Sequence, residues 1–97
     1  MMQIARPPSG FRVIESPAVT SLIQAKCGEW PRLSVHWFGI KIRLKFTGHR
    51  EGAPVGNHRP GWRLFVDDGD TFAGLPRIKI VYLALGDTLT IAMATVD

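Results

Sequence analysis

The strongest constraint on this chain lies in its last third. Arg77-Ile78-Lys79-Ile80-Val81-Tyr82-Leu83-Ala84-Leu85 is followed by Gly86-Asp87 and then by Thr88-Leu89-Thr90-Ile91-Ala92-Met93-Ala94-Thr95-Val96. Two β-prone runs separated by a Gly-Asp pair predict a tight hairpin. A two-residue turn sets the register, placing Tyr82 opposite Ile91, Ile80 opposite Met93 and Ile78 opposite Thr95. That face is expected to be core. The other is expected to carry Arg77 and Lys79 beside Val96 and Ala94. It would be a low surface with two projecting cations, which suits a polyanion better than a small apolar ligand.

A chain of 97 residues, 45% hydrophobic, is long enough for one domain with one core and too apolar for disorder. Twelve Lys+Arg against eight Asp+Glu give a formal charge of +4. The excess admits RNA, DNA or an acidic protein as partner, and equally an ordinary solvated surface. Cys27 is the only cysteine, so an intrachain disulfide or cysteine zinc site is excluded and a reduced compartment fits. Residues 1–10 hold Arg6, Pro7 and Pro8 and read as a flexible N-terminal arm, not a signal peptide. No run is long and apolar enough to span a bilayer. The expectation is a single domain over residues 11–97, soluble, cytoplasmic and without membrane association.

Along the chain, Phe11 to Glu15 alternates as a short strand. Ser16-Pro17 has the chemistry of a helix start, and Val19, Leu22, Ile23, Lys26 and Cys27 then share one helical stripe that Gly28 and Pro31 end near Glu29. Pro31 to Gly48 supports two readings. Ile40 to Phe46 alternates strictly, as a strand does, while Leu33, Trp37, Ile40 and Leu44 form a helical stripe. Pro31 at the start, basic residues near the end and Gly48 as a stop are helix punctuation. Gly39 costs such a helix about 1 kcal/mol. Read as a helix, this segment carries a second apolar stripe of Val35, Phe38, Ile42 and Phe46, which needs cover, for example from a partner protein. Residues 49–61 read as a loop and Trp62 to Val66 as a strand. Asp67-Asp68-Gly69-Asp70 is a turn that lacks the downstream Glu of a calcium loop. The expected fold is α+β, in the order β-α-α-β-β-β, with two N-terminal helices on one face of a small, mostly antiparallel sheet.

In that order the chain resembles the RelE/ParE superfamily, the toxins of type II toxin–antitoxin modules. The resemblance rests on Phe11-Arg12-Val13-Ile14-Glu15-Ser16-Pro17, on Arg43-Leu44-Lys45-Phe46-Thr47-Gly48, on Gly61-Trp62-Arg63-Leu64-Phe65 and on Pro76-Arg77-Ile78-Lys79-Ile80-Val81-Tyr82. It covers about residues 11–96. Each piece is short, and their order and spacing carry the match. The resemblance implies a metal-independent endoribonuclease without cofactors that cleaves mRNA on the ribosome, an mRNA interferase. The alternative is a ParE-like inhibitor of DNA gyrase that performs no hydrolysis. Either kind is silenced by a cognate acidic antitoxin in a hetero-oligomer. The sequence departs from the nuclease members at its end, where Val96 and Asp97 stand in place of a basic segment with a Tyr or His. A third reading is a small non-enzymatic adaptor, with a β-rich barrel built on the alternation at Ile40 to Phe46.

On this resemblance Arg77 falls on the strand arginine that contacts phosphate, Arg63 falls on the preceding strand, and Lys79 projects beside Arg77. Cleavage needs a proton carrier for the 2′-hydroxyl and cations for the phosphorane. The available carriers are His36, His49 and His58, with Tyr82 a poor fourth. His49 and His58 lie in the loop before Trp62, His36 on the amphipathic segment reads as structural, and His58 is the one assigned with Arg77 and Arg63. Lys41, Arg43 and Lys45 are candidate RNA contacts, or simply the wet face of an amphipathic element. Tyr82 is expected to pack with its hydroxyl at the rim. Trp30, Trp37 and Trp62 are stacking platforms or core anchors. No metal site is expected.

Overall fold

The computed structural model describes residues 9–56 and 60–97. Its elements are β1 (Arg12–Glu15), α1 (Pro17–Lys26), α2 (Leu33–Thr47), β2 (Ala53–Pro54), β3 (Trp62–Asp67), a 3-10 turn (Thr71–Ala73), β4 (Ile78–Leu85) and β5 (Thr88–Val96). The sheet runs β1-β5-β4-β3-β2. β1 pairs parallel with β5, and the other pairs are antiparallel. The fold is α+β, with both helices on one face of a five-stranded mixed sheet.

The ambiguous segment is a helix. Leu33, Trp37, Ile40 and Leu44 are its buried residues, spaced so that one stripe meets the sheet. A strand would have aligned Ile40, Ile42, Leu44 and Phe46 on one face, yet Ile42 and Phe46 are exposed. α1 opens as its sequence predicts. The Ser16 hydroxyl accepts from the Val19 amide and Pro17 occupies the first turn. It closes at Lys26, a turn earlier than expected, because residues 27–29 tighten into a turn at Gly28. The loop over residues 49–61 contains the two-residue strand β2, unread in the sequence. Two residues carry no periodicity, and Pro54 is tolerated only because β2 is an edge strand.

The core joins Val19 and Ile23 of α1 and the α2 stripe to Phe11, Phe65, Ile78, Ile80, Tyr82, Ala84, Leu89, Ile91 and Val96. The hairpin has the expected turn. Leu85 pairs with Thr88, and Gly86 takes φ +59, a conformation costly for any residue with a Cβ. Its register is as expected up to Tyr82, which lies opposite Ile91. Beyond that the register shifts, with Val81 opposite Met93, Ile80 opposite Ala94 and Ile78 opposite Val96. Ala92 is the extra residue of a β-bulge. The expected pairs Ile80–Met93 and Ile78–Thr95 are therefore replaced, and Met93 and Val96 exchange faces. Val96 is buried and Met93 is 65% exposed. Ser16 holds the bulge: its amide donates to Ile91 O and its hydroxyl to Ala92 O.

Candidate functional site

The strands alternate, so each side chain that avoids the helices lies on the open face of the sheet. The register arranges that face in rows. Arg12, Thr88 and Leu85 form the first, and Ile14, Thr90, Leu83 and Trp62 the second. Met93, Val81 and Leu64 form the third, and Thr95, Lys79 and Val66 the fourth. The centre is apolar. Val81, Leu83, Trp62 and Leu64 are half-buried by their neighbours, while Met93, Leu85, Val66 and Ile14 are exposed. Among the described residues, cations stand only at the two ends: Arg12 near the hairpin turn, and Lys79 and Arg77 at the other end.

The expected site is only partly assembled. Lys79 and Arg77 share an end of the sheet. Arg77 is half-exposed, and its Nε lies 3.6 Å from Asp68 Oδ1. Arg63 does not join them. It pairs with Tyr82 on the helix side of the sheet, and its guanidinium donates to the carbonyls of Glu51 and Gly52. It is a clamp on the loop after α2, placed by a strand parity opposite to that of Lys79. The expected shared cationic groove of Arg63, Arg77 and Lys79 is thus divided between two faces. His58 lies outside the described residues.

The α2 cations also lie on the helical layer. Lys41 Nζ is 2.7 Å from Glu15 Oε2. Arg43 pairs with Glu51 and sits 5.2 Å from the centroid of the Phe65 ring. The Glu51 hydrogen bond raises the Arg43 pKa further above its ordinary value. Lys45 lies 6.0 Å from the Phe46 centroid. Two of the three cations are thus matched to carboxylates of the same chain. Of the other candidates, His49 packs its ring at 6.2 Å from that of Phe11, and His36 contacts Asp67 at 3.3 Å. Trp37 is a core anchor and Trp30 packs against the core, while Trp62 is on the open face.

Tyr82 is fully buried. Its hydroxyl donates to Gly48 O at 2.6 Å and lies 3.1 Å from Glu51 O. Burial pushes its pKa up to about 12, against the opposing pull of the Arg63 guanidinium. A phenol so placed stays protonated at neutral pH and is committed to two carbonyls. Among the described residues no three His, Cys, Asp or Glu side chains gather to hold a metal ion. Nor is any helix among them long and apolar enough to cross a membrane.

The open-face residues Leu64, Val81, Leu83 and Met93 were not singled out as functional from sequence. A signal for them existed. β4 is apolar at nearly every position, and a strand without alternation is one that expects cover on both faces. Comparison with protein-family models, curated proteins and solved structures gives no match for this chain.

Proposed function

We propose that this protein works by gripping another protein, as the toxin of a toxin–antitoxin pair of the non-cleaving, ParE-like kind. The observation that carries the reading is the open sheet face, apolar in the middle and cationic at both ends. A nucleic-acid backbone calls for positive charge along the whole contact. An apolar centre between cationic ends fits a protein segment with apolar anchors flanked by carboxylates, because apolar contacts give affinity and the charges give orientation. An acidic antitoxin segment is the occupant assigned to it, in a cytoplasmic hetero-oligomer, and the toxin's target, DNA gyrase in the resembling members, competes for the same face. The ribosome-dependent mRNA endonuclease is less well supported. Arg63 and Tyr82 are occupied by backbone carbonyls, and Lys41 and Arg43 by carboxylates.

The test is induction of the chain with and without its neighbouring reading frame, followed by mapping of transcript ends and an assay of gyrase supercoiling. Growth arrest with intact transcripts, relieved by a small acidic neighbour that co-purifies with the protein, is the expected result. Loss of co-purification in Leu83→Lys would assign the contact to the open face. New transcript ends at defined sites would return the reading to RNA cleavage. Absence of any growth effect from a folded, soluble protein would sink both.

A further inference from the structure

We infer that the outward face of α2 pairs two copies of this chain into an antiparallel, two-fold dimer. This lies in the opposite layer from the sheet face assigned to the antitoxin and is independent of it.

α2 is apolar on both sides. Leu33, Trp37, Ile40 and Leu44 face the sheet. On the far side Val35 is 77%, Phe38 61%, Ile42 42% and Phe46 40% exposed. A helix with apolar stripes on two opposite sides calls for cover on both. Gly39 lies on the same outward side. A Cβ added there would meet nothing within 4 Å, and its φ is outside the positive range. The monomer therefore gives no reason to keep a glycine in mid-helix, where it weakens the helix relative to alanine. Close approach of a second helix gives one.

The spacing names the second helix. In an antiparallel pair centred between Ile40 and Lys41, Val35 meets Phe46 of the second copy, and Gly39 meets Ile42 of the second copy. Each contact occurs twice by symmetry, with the large residue filling the gap left by the small one, as an isologous interface requires. Charge opposes the approach only at Lys45, which lies beside Phe46 and, among the described residues, is the α2 cation not matched to a carboxylate. Lys41 lies nearest the two-fold axis and is already matched by Glu15, while Arg43 on the other flank is matched by Glu51. An acidic partner would find those two cations taken. A second copy needs only apolar surface. The four side chains and the flanking stems bury roughly 800 Å² over both copies, short of the roughly 1,200 Å² at which stable specific interfaces begin, so the dimer is weak and transient, with a Kd of about 10–100 μM.

Sedimentation of the full chain from about 1 μM to 1 mM, a range spanning that Kd, tests this. The expected result is a reversible monomer–dimer equilibrium. Phe38→Glu, at an exposed position, raises Kd at least 30-fold with unchanged far-UV dichroism. Gly39→Ala is the sharper probe, because it raises the Tm of the dilute monomer and yet raises Kd about tenfold. A chain that stays monomeric throughout, or a dimer indifferent to both substitutions, overturns the inference.

Discussion

The hydroxyl of Tyr82, in the middle of β4, donates at 2.6 Å to the carbonyl of Gly48, the residue that closes α2. One bond thus ties the end of the helical layer to the central strand. Gly48 can lie so close only because it lacks a Cβ, which would collide with Leu89. Tyr82 is the chain's one tyrosine, so its ionisation is read directly as the near-ultraviolet absorbance of tyrosinate. The folded pKa is raised to about 12, against about 10 for a free phenol. Above pH 10 the unfolded chain loses a proton that the folded chain keeps, so stability falls as pH rises and levels off beyond the folded value. The expected loss is about 2–3 kcal/mol across that window. Tyr82→Phe should flatten the decline, and should cost about 1–2 kcal/mol at neutral pH by leaving Gly48 O without its donor. A tyrosinate midpoint near 10 in the folded protein would contradict this.

Ser16 serves three neighbours at once. Its amide donates to Ile91 O, its hydroxyl donates to Ala92 O, and the same oxygen accepts from Val19 N. Ser16→Ala removes the helix cap and the donor to the bulge together. The expected cost is about 1–2 kcal/mol in denaturant unfolding. Hydrogen exchange should quicken both in the first turn of α1 and around Ala92. Loss of protection in α1 alone would mean that the bulge stands without Ser16.

Arg63 and Arg77 were assigned one role from sequence and have two in the structure. Arg63→Ala removes the guanidinium donors from Gly52 O and Glu51 O, leaving Glu51 O only the Tyr82 hydroxyl, and should lower stability by about 1–2 kcal/mol, with faster exchange over residues 49–54. Arg77→Ala removes only a loose, exposed ion pair and should change stability by less than about 0.5 kcal/mol. On the proposed function it should nonetheless weaken antitoxin binding. Equal stabilities for the two variants would deny Arg63 its clamping role.

What was legible in the sequence was whatever depends on local periodicity and punctuation. Ser16-Pro17 announced α1, Gly86-Asp87 announced the hairpin turn, and Leu33-Trp37-Ile40-Leu44 announced the buried side of α2. What escaped depended on partners distant in the chain. The bulge at Ala92 has no glycine or proline to mark it, because it is stabilised by Ser16, 76 residues away. The clamping role of Arg63 is likewise set by a loop that carries no pattern. The bulge puts Met93 on the open face in exchange for Val96, and that face is less cationic than expected because Arg63 lies on the helix side of the sheet.

The bulge makes opposite demands on two residues of β5, and this separates the observed register from the regular one. In a regular hairpin Met93 would sit opposite Ile80 in the core and Val96 would lie outside. In the structure Met93 is mostly exposed, whereas Val96 is 5% exposed beside Ile78, with the chain beyond it held by the Asp97 amide on Arg77 O. Met93→Lys should therefore change stability by less than about 0.5 kcal/mol. Val96→Lys has to place an ammonium against apolar walls or expel the strand end, and should cost about 2 kcal/mol or more. Thermal unfolding of the two variants, side by side, gives the answer. A severe loss in Met93→Lys with a mild one in Val96→Lys would restore the regular register, and with it a core that includes Met93. The observed order would leave Met93→Lys as a folded variant whose binding defect reports on the open face alone.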